Sequence, residues 1–288
     1  MKRIILSLAT LLCSSALWAQ NLQKETLELD GSQGKLYSIL EYPAQVQDDV
    51  KYPLVIICHG FTASCETPLI ETLAKDITEA GIATLRFDFN GHGKSDGNFR
   101  DMTVLNEIED LKDVISWAQR QQWVENISLV GHSQGGVVVS MTAGELGDSV
   151  IKAEVLLAPA AVLRDDAIRG NVMGARFNPW DLKGDFVPLP MKNSNGQPYR
   201  LGKEYIESAM NLPIYKIASR YTGPTLIIHG NHDSVVPYTY GERYHFNIKG
   251  SKLKIIEGEN HGFTETMDET ATYVANWLKK QLLPSQDS

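Results

Sequence analysis

Cysteine is scarce in this chain. Its 288 residues include three cysteines, Cys13, Cys58 and Cys65, with no repeated Cys-x-x-Cys spacing. This scarcity excludes a small disulfide-stapled domain and a cysteine-based structural zinc site. Cys58 ends an apolar run and Cys65 lies just beyond it, so the sequence leaves open whether this pair forms a disulfide or two free thiols.

Positive charge is also in short supply. Lys and Arg number 27 against 35 Asp and Glu, which gives a net charge of −8, and no basic cluster offsets it. Such a chain repels phosphate backbones, so nucleic acid is not expected as a partner. The fractions of hydrophobic residues (43%) and charged residues (22%) are ordinary for a globular protein.

Long apolar runs are missing except at the N-terminus. Lys2 and Arg3 precede an apolar run over residues 4–12, and small residues lead to Ala19. This order is typical of a secretory signal peptide and is too short for a membrane span with its flanks. We therefore predict that residues 1–19 are cleaved, that the mature chain has no membrane contact, and that the protein is periplasmic or secreted.

Apolar runs alternate with helical patterns along the rest of the chain. The runs cover residues 54–58, 82–87, 127–130, 155–157, 225–228 and 253–256. Because they are apolar throughout, they predict the strands of a mostly parallel sheet buried on both faces. Apolar stripes at helical spacing over residues 69–77, 104–115 and 267–278 predict flanking helices. Residues 27–29 and 36–41 predict an opening hairpin with its turn at Asp30-Gly31.

Residues 160–220 break this rhythm. They contain five prolines and no clear apolar strand. About 60 residues is far longer than an ordinary connection. The segment follows the carboxyl end of a predicted strand, and α/β proteins bind ligands at the edge of the sheet that the carboxyl ends of the strands form. We predict an inserted cap over residues 160–220, which divides an α/β core into residues 20–159 and 221–288.

The most informative motif is Gly131-His-Ser133-Gln-Gly135. It follows a predicted strand and opens a predicted helix, the context in which G-x-S-x-G exposes a nucleophilic serine. The N-terminus of the new helix favours developing negative charge. The motif predicts Ser133 as a nucleophile in an α/β-hydrolase fold: a mostly parallel central sheet flanked by helices, with an inserted cap over the active site.

A serine hydroxyl needs an adjacent base, which this fold supplies in the chain order Ser, acid, His. Asp233 follows the run at 225–228 and His261 follows the last run, so they complete the predicted catalytic triad. Asp181 and Asp185 stay open as alternative acids. The other histidines do not follow the last strand; they are His59, His92, His132, His229, His232 and His245.

Two backbone N–H groups are expected to hold the oxyanion. One belongs to Gln134, directly after the nucleophile, and the other to Phe61, in the loop after the first parallel strand. The segment 229–233 contains two histidines and an aspartate but lacks the H-E-x-x-H pattern, so no metal site is predicted. No cofactor is expected either.

Longer strings carry a resemblance to a known family. Residues 87–97, 102–110 and 131–136 resemble bacterial cinnamoyl (feruloyl) esterases, and the resemblance runs from about residue 36 to the C-terminal helix. It implies hydrolysis of esters between hydroxycinnamic acids and plant-wall sugars, as in xylan degradation, and a small α/β cap that holds the aromatic ring.

The resemblance also implies that Asp166 and Tyr205 bind the phenolic hydroxyl of that ring. This chain departs from the relatives in a longer segment at about residues 177–197. It also has apolar Met173 where a polar residue can occur. Both departures leave the acyl preference open.

Two other functions stay open. A short-chain acyl esterase or lipase, or a serine peptidase, can use the same fold and triad. A secreted binding protein on a hydrolase scaffold is a third reading, which an intact triad disfavours. The expected partner is a small-molecule or oligosaccharide ester substrate, and the oligomeric state is open, a homodimer included.

Overall fold

The computed structural model describes residues 23–43, 50–193 and 195–284. The predicted signal peptide, residues 1–19, lies outside these ranges. Within them, no helix combines the length and apolar character needed to cross a bilayer.

The described ranges contain the following strands, in chain order: β1 (Gln23–Gly31), β2 (Gly34–Tyr42), β3 (Tyr52–Cys58), β4 (Ala83–Phe87), β5 (Val124–His132), β6 (Ile151–Leu157), β7 (Asn171–Val172), β8 (Ala175–Arg176), β9 (Phe186–Lys192), β10 (Pro198–Gly202), β11 (Thr225–Gly230) and β12 (Lys252–Ile256). The α-helices of the same ranges are α1 (Pro68–Glu79), α2 (Val104–Gln119), α3 (Gln134–Leu146), α4 (Val162–Arg169), α5 (Lys203–Ala209), α6 (Ile214–Ala218), α7 (Thr239–Asn247) and α8 (Met267–Leu282).

Eight of these strands form one sheet in the order β1-β2-β4-β3-β5-β6-β11-β12. Six of them run parallel, namely β4, β3, β5, β6, β11 and β12. Strands β1 and β2 add an antiparallel hairpin at one edge. The α/β-hydrolase fold and the six predicted parallel strands are therefore confirmed. The predicted turn is wrong: Asp30 and Gly31 pair with Lys35 and Gly34, so Ser32 and Gln33 make the turn.

Apolar side chains cover both faces of the sheet. On one face, Leu69, Leu73 and Ile77 of α1 pack with Val274 and Leu278 of α8 against the strands. The other face is covered by α2 and α3, whose apolar side chains lie in a second buried cluster. The predicted helical stripes are thus the buried faces of real helices.

Strand β12 departs from the expectation of full burial. Its side chains are half-buried or exposed, because it lies at the open edge of the sheet. Lys252 and Lys254 lie within it, and an edge position leaves such charged chains room to reach water.

The segment between β6 and β11 lies where the cap was predicted. It contains two small hairpins, β7-β8 and β9-β10, together with α4, α5 and α6. The expectation that it lacks clear strands is wrong. Pro188 and Pro190 argue against a strand in the sequence, so β9 was not predicted. In the structure β9 pairs with β10 alone, and proline is tolerated where one edge of a strand is free.

Both cysteines of the described ranges, Cys58 and Cys65, are buried free thiols. The question that the sequence left open is therefore answered in favour of two thiols. Burial raises the pKa of both groups well above its usual value, so neither is primed as a thiolate nucleophile.

Candidate active site

Ser133 occupies a strained turn between β5 and α3. Its backbone φ is 57°, a left-handed value that non-glycine residues rarely adopt. Gly131 and Gly135 make the turn possible, because a Cβ on Gly131 would come within 2.3 Å of the carbonyl oxygen of Gly135. A residue held in such strain by surrounding backbone is typical of a nucleophile elbow.

Ser133, His261 and Asp233 form a continuous hydrogen-bonded chain. His261 Nε2 lies 2.9 Å from Ser133 Oγ, and its Nδ1 lies 2.7 Å from Asp233 Oδ2. Because a carboxylate can only accept, Nδ1 carries the proton and donates to Asp233, which leaves Nε2 to accept from the serine hydroxyl. This is the arrangement in which an imidazole can take a proton from a serine.

The Asp233 carboxylate is held by more than His261. Its Oδ1 accepts backbone N–H groups from Val235 and Val236, each at 2.8 Å, and His229 Nε2 lies 3.2 Å from Oδ2. Burial alone would raise the pKa of Asp233, but the hydrogen bonds from His229 and His261 outweigh it and bring the pKa below its usual value. The carboxylate of Asp233 is therefore ionised at neutral pH.

His229 is a contributor that sequence reasoning missed. It is fully buried at the end of β11, and its Nε2 also lies 2.9 Å from the carbonyl oxygen of Val236. Both neighbouring oxygens are acceptors, so Nε2 carries a proton and donates it towards Asp233. Its place four residues before Asp233 was the available signal, but its burial could not be read from the sequence.

The rival residues do not reach the imidazole. Asp181 pairs with Lys183 at 2.6 Å, and Asp185 is an exposed loop residue. Among the histidines, His132 lies 2.9 Å from the carbonyl oxygen of His261 through its own Nε2, away from the serine hydroxyl. In the described ranges, no group of three His, Cys, Asp or Glu side chains could hold a metal ion.

The two residues predicted as oxyanion donors border the same pocket as Ser133. Gly135 packs so closely on the loop after β3 that a Cβ there would come within 2.5 Å of the Cys58 carbonyl oxygen. This contact brings the loop that carries Phe61 beside the start of α3, which carries Gln134. Backbone N–H groups near a helix N-terminus and on an adjacent loop can together stabilise a developing oxyanion.

The side chain of Gln134 is fixed at both ends. Its Nε2 donates to Glu107 Oε2 at 2.8 Å, and its Oε1 accepts the Tyr205 hydroxyl at 2.8 Å. All three side chains are buried, and burial raises the pKa of Glu107 well above its usual value. This chain links α2, the nucleophile turn and α5 of the insertion, so the position of Gln134 depends on the core and the insertion together.

Asp166 and Tyr205 both line the pocket beside Ser133. Tyr205 is only 1% exposed and its hydroxyl proton is donated to Gln134, so that oxygen can only accept from a ligand. Asp166 lies on α4 and pairs with Arg169 at 2.5 Å. Burial raises the pKa of Asp166 above its usual value despite that pairing.

The pocket itself is narrow and mostly apolar. It encloses about 40 Å³, whereas pockets for small molecules typically hold several hundred Å³. Met173 and Val235 line it and are 36% and 41% exposed. The apolar Met173, noted as a departure in the sequence, has a left-handed backbone with φ 49°.

Taken together, the fold and the site define a class of protein. A nucleophile elbow and a hydrogen-bonded Ser-His-Asp chain are the features of a serine hydrolase. Comparison with known proteins agrees. A family model described as serine aminopeptidase, S33 (Hydrolase_4), matches residues 51–180.

Individual relatives extend the match over most of the chain. The 31.7 kDa protein of the traX-finO intergenic region of Escherichia coli is 39% identical over 268 residues, covering 82% of this chain and 93% of that protein. The human serine hydrolase BPHL is 25% identical, covering 78% of this chain and 79% of its own. This chain belongs to the α/β-hydrolase superfamily.

One solved structure is also similar in sequence. Est1E from Butyrivibrio proteoclasticus, in a structure with ferulic acid bound, aligns with a TM-score of 0.81 and 32% identity. The alignment covers 88% of this chain and 98% of that one. The site geometry and these similarities together make the chain a serine hydrolase of the α/β-hydrolase superfamily.

Proposed function

We propose that this protein is a serine carboxylesterase that hydrolyses hydroxycinnamoyl esters through an acyl-enzyme. Ser133 is the nucleophile, His261 the general base and acid, and Asp233 the residue that orients His261. The observation that carries the proposal is the unbroken hydrogen-bonded chain of these three side chains beside an apolar pocket. The ester preference draws further support from the likeness to Est1E.

The reaction proceeds in two acyl transfers. His261 Nε2 removes the proton of Ser133 as Oγ attacks the ester carbonyl carbon, and the backbone N–H groups of Phe61 and Gln134 stabilise the oxyanion. The imidazolium returns its proton to the leaving alcohol oxygen, which releases the alcohol and leaves the acyl-enzyme. His261 then removes a proton from water as the water oxygen attacks the acyl carbonyl carbon. The imidazolium returns that proton to Ser133 Oγ as the acyl–oxygen bond breaks, which frees the acid and restores Ser133.

We assign the pocket beside Ser133 to the acyl group. A planar aromatic acid suits its apolar walls, and Asp166 supplies an acceptor for a phenolic hydroxyl at the insertion side. Because the pocket encloses only about 40 Å³, Met173 and Val235 must move aside for a hydroxycinnamoyl group, as side chains at binding sites commonly do.

We further propose that the protein acts outside the cytoplasm after removal of residues 1–19. The support is the sequence pattern alone: Lys2 and Arg3, an apolar run, then small residues up to Ala19. The intact mass of the protein recovered from separate cell-envelope and cytoplasmic fractions tests this. A chain that begins at Gln20 supports export, and a chain that retains residues 1–19 in the cytoplasm overturns it.

The substrate class is tested with esters of matched leaving groups. We expect kcat/KM for methyl ferulate to equal or exceed that for methyl butyrate, with Ser133→Ala inactive on both. Activity on butyrate alone would keep the serine hydrolase and discard the hydroxycinnamoyl preference. A peptide anilide belongs in the same panel because of the aminopeptidase family model, and cleavage of the anilide alone would make the protein a peptidase.

A further inference from the structure

Glu259 is a fully buried carboxylate outside the catalytic triad. It lies in the loop after β12, two residues before His261, and its exposed fraction is 0%. Charged side chains are almost never buried to this extent unless partners stabilise the charge. The partners of Glu259 therefore indicate what the buried charge is for.

Four hydrogen-bond donors from its own loop surround the carboxylate. Oε1 accepts the backbone N–H of Asn260 at 2.7 Å and that of Glu265 at 3.4 Å. Oε2 accepts the backbone N–H and the hydroxyl of Thr266 at 2.7 and 2.6 Å. Burial alone would raise the pKa of Glu259, but these hydrogen bonds outweigh it and bring the pKa below its usual value. The carboxylate therefore ties together both ends of the segment that carries His261.

The start of α8 is part of the same arrangement. Thr266 is the N-cap of α8, the position at which a threonine hydroxyl ordinarily accepts a backbone N–H of the first turn. Here the hydroxyl makes no such cap bond and donates to Glu259. The capping residue of α8 is thus committed to the loop that carries His261.

The main chain of Glu259 contacts the loop of the other triad member. Its carbonyl oxygen accepts the N–H of His232, the residue directly before Asp233, at 3.0 Å. A Cβ on Gly230 would come within 2.2 Å of that oxygen, so the two loops pack closely at this point. Glu259 thus contacts both the segment that carries His261 and the turn that carries Asp233. These two segments set the 2.7 Å separation of His261 Nδ1 and Asp233 Oδ2.

We infer that Glu259 is a positioning residue: its carboxylate fixes the loop so that the imidazole of His261 meets Asp233 and Ser133 at once. His132 holds one point of this loop through the His261 carbonyl oxygen, and Glu259 holds its two ends. Glu259 is not among the described residues that line the pocket beside Ser133, so it acts through His261. A displacement of about 1 Å at a catalytic group can lower turnover about 100-fold. The inference rests on the proposed serine hydrolysis and is independent of the hydroxycinnamoyl preference.

The test replaces Glu259 by Gln, which keeps the shape of the side chain. Both carboxylate oxygens act as acceptors, so the new NH₂ group has to face the backbone N–H of either Asn260 or Thr266. We expect kcat on 4-nitrophenyl butyrate to fall at least about tenfold in Glu259→Gln and about 100-fold in Glu259→Ala, with KM within about threefold of wild type. A role in packing alone would leave kcat of the Gln variant unchanged.

Glu257→Gln is the matched control. Glu257 lies in the same loop, is exposed, and accepts the side-chain NH₂ of Asn231 at 2.7 Å. A Gln at this position can still accept that hydrogen bond through its own carbonyl oxygen. Its kcat should therefore stay within about twofold of wild type, and a loss equal to that of Glu259→Gln would overturn the inference.

Fluorophosphonate labelling separates this inference from the proposed function. The rate of adduct formation at Ser133 depends on the imidazole base and not on the choice of ester. Labelling of folded Glu259→Gln that slows by about the same factor as kcat supports the inference, even if ferulate esters are not hydrolysed. Wild-type labelling in Glu259→Gln, or a change confined to KM, overturns the inference and leaves the proposed function standing. Absence of any label at Ser133 in wild type overturns both.

Thr266→Val keeps the inference testable if Glu259→Gln fails to fold. The valine matches the threonine in shape and retains its backbone N–H, but it removes the hydroxyl that donates to Glu259 Oε2. We expect kcat on 4-nitrophenyl butyrate to fall at least about threefold with KM unchanged. An unchanged kcat in Thr266→Val overturns the inference.

Discussion

Replacing Asp233 by Asn tests the direction of each hydrogen bond around this carboxylate. Asp233 Oδ1 accepts two backbone N–H groups at 2.8 Å, so the Asn carbonyl oxygen has to take that place. The new NH₂ group then replaces Oδ2 and faces His261 Nδ1, which was 2.7 Å from the carboxylate. It also faces the Nε2–H of His229, where two donors now meet.

The consequence for His261 follows from hydrogen-bond chemistry. Facing a donor, Nδ1 becomes the acceptor and the proton moves to Nε2, which lies 2.9 Å from Ser133 Oγ. An Nε2 that already carries a proton cannot take the serine proton. We expect kcat to fall about 10⁴-fold, as the same wrong tautomer does in other triad enzymes. That loss corresponds to roughly 5.5 kcal/mol of activation free energy.

The assay is kcat on 4-nitrophenyl butyrate, with circular dichroism to confirm that Asp233→Asn is folded. Asp181→Asn and Asp185→Asn are matched controls, because both carboxylates lie in the insertion away from the imidazole, and both variants should stay within about twofold of wild type. Retention of a tenth or more of kcat in Asp233→Asn would refute the reasoning. So would an equal loss in either control.

Three further predictions concern stability, the turn and the pocket. Burial raises the pKa of Glu154 to about 8 from 4.5; the folded value exceeds the unfolded one, so wild type should lose stability as pH rises from about 5 to 8. Urea unfolding of Glu154→Gln should show a flatter pH dependence, and an unchanged slope would contradict the assignment. Gly135→Ala places a Cβ 2.4 Å from the His59 carbonyl oxygen, so activity on 4-nitrophenyl butyrate should fall at least about 100-fold through displaced oxyanion donors. Gly250→Ala, with open space around it, should cost about 1–2 kcal/mol of unfolding free energy and no activity; equal activity in the two alanine variants would be the refuting result. Met173→Ala widens the narrow pocket and should raise kcat/KM for methyl ferulate relative to methyl butyrate, whereas a lower ratio would mean that Met173 holds the aromatic ring.

Much of the fold could be predicted because the signals were local. A strand buried on both faces has to be apolar throughout, and residues 54–58 or 127–130 satisfy that rule without help from distant residues. Strand β9 escaped because Pro188 and Pro190 read as breakers, and only the structure shows that β9 has a single partner strand. The position of the hairpin turn escaped because Asp30-Gly31 is a good turn sequence, while the register is set by pairing along the whole of β1.

The meeting of the three triad side chains was predictable for a similar reason. Ser133 lies in a local motif, and the order of Asp233 and His261 after strands placed them beside it. Their catalytic roles stay predictions. His229 and Glu107 could not be found this way, because each is defined by a buried contact. His229 contacts Asp233 in the loop after β11, and Glu107 on α2 accepts a hydrogen bond from Gln134 on α3. The roles that the family resemblance gave Asp166 and Tyr205 stay predictions; the structure brings both to the pocket, with the Tyr205 hydroxyl already bound to Gln134.

The most direct test of the central claim is covalent labelling of the nucleophile. The purified protein is treated with a fluorophosphonate, digested and mapped by mass spectrometry, with His261→Ala alongside. The account predicts one adduct, on the peptide that carries Ser133, formed rapidly in wild type and at least about 10³-fold more slowly without the imidazole base. An adduct on a different serine, or a Ser133 that reacts no faster in wild type than in His261→Ala, would contradict it.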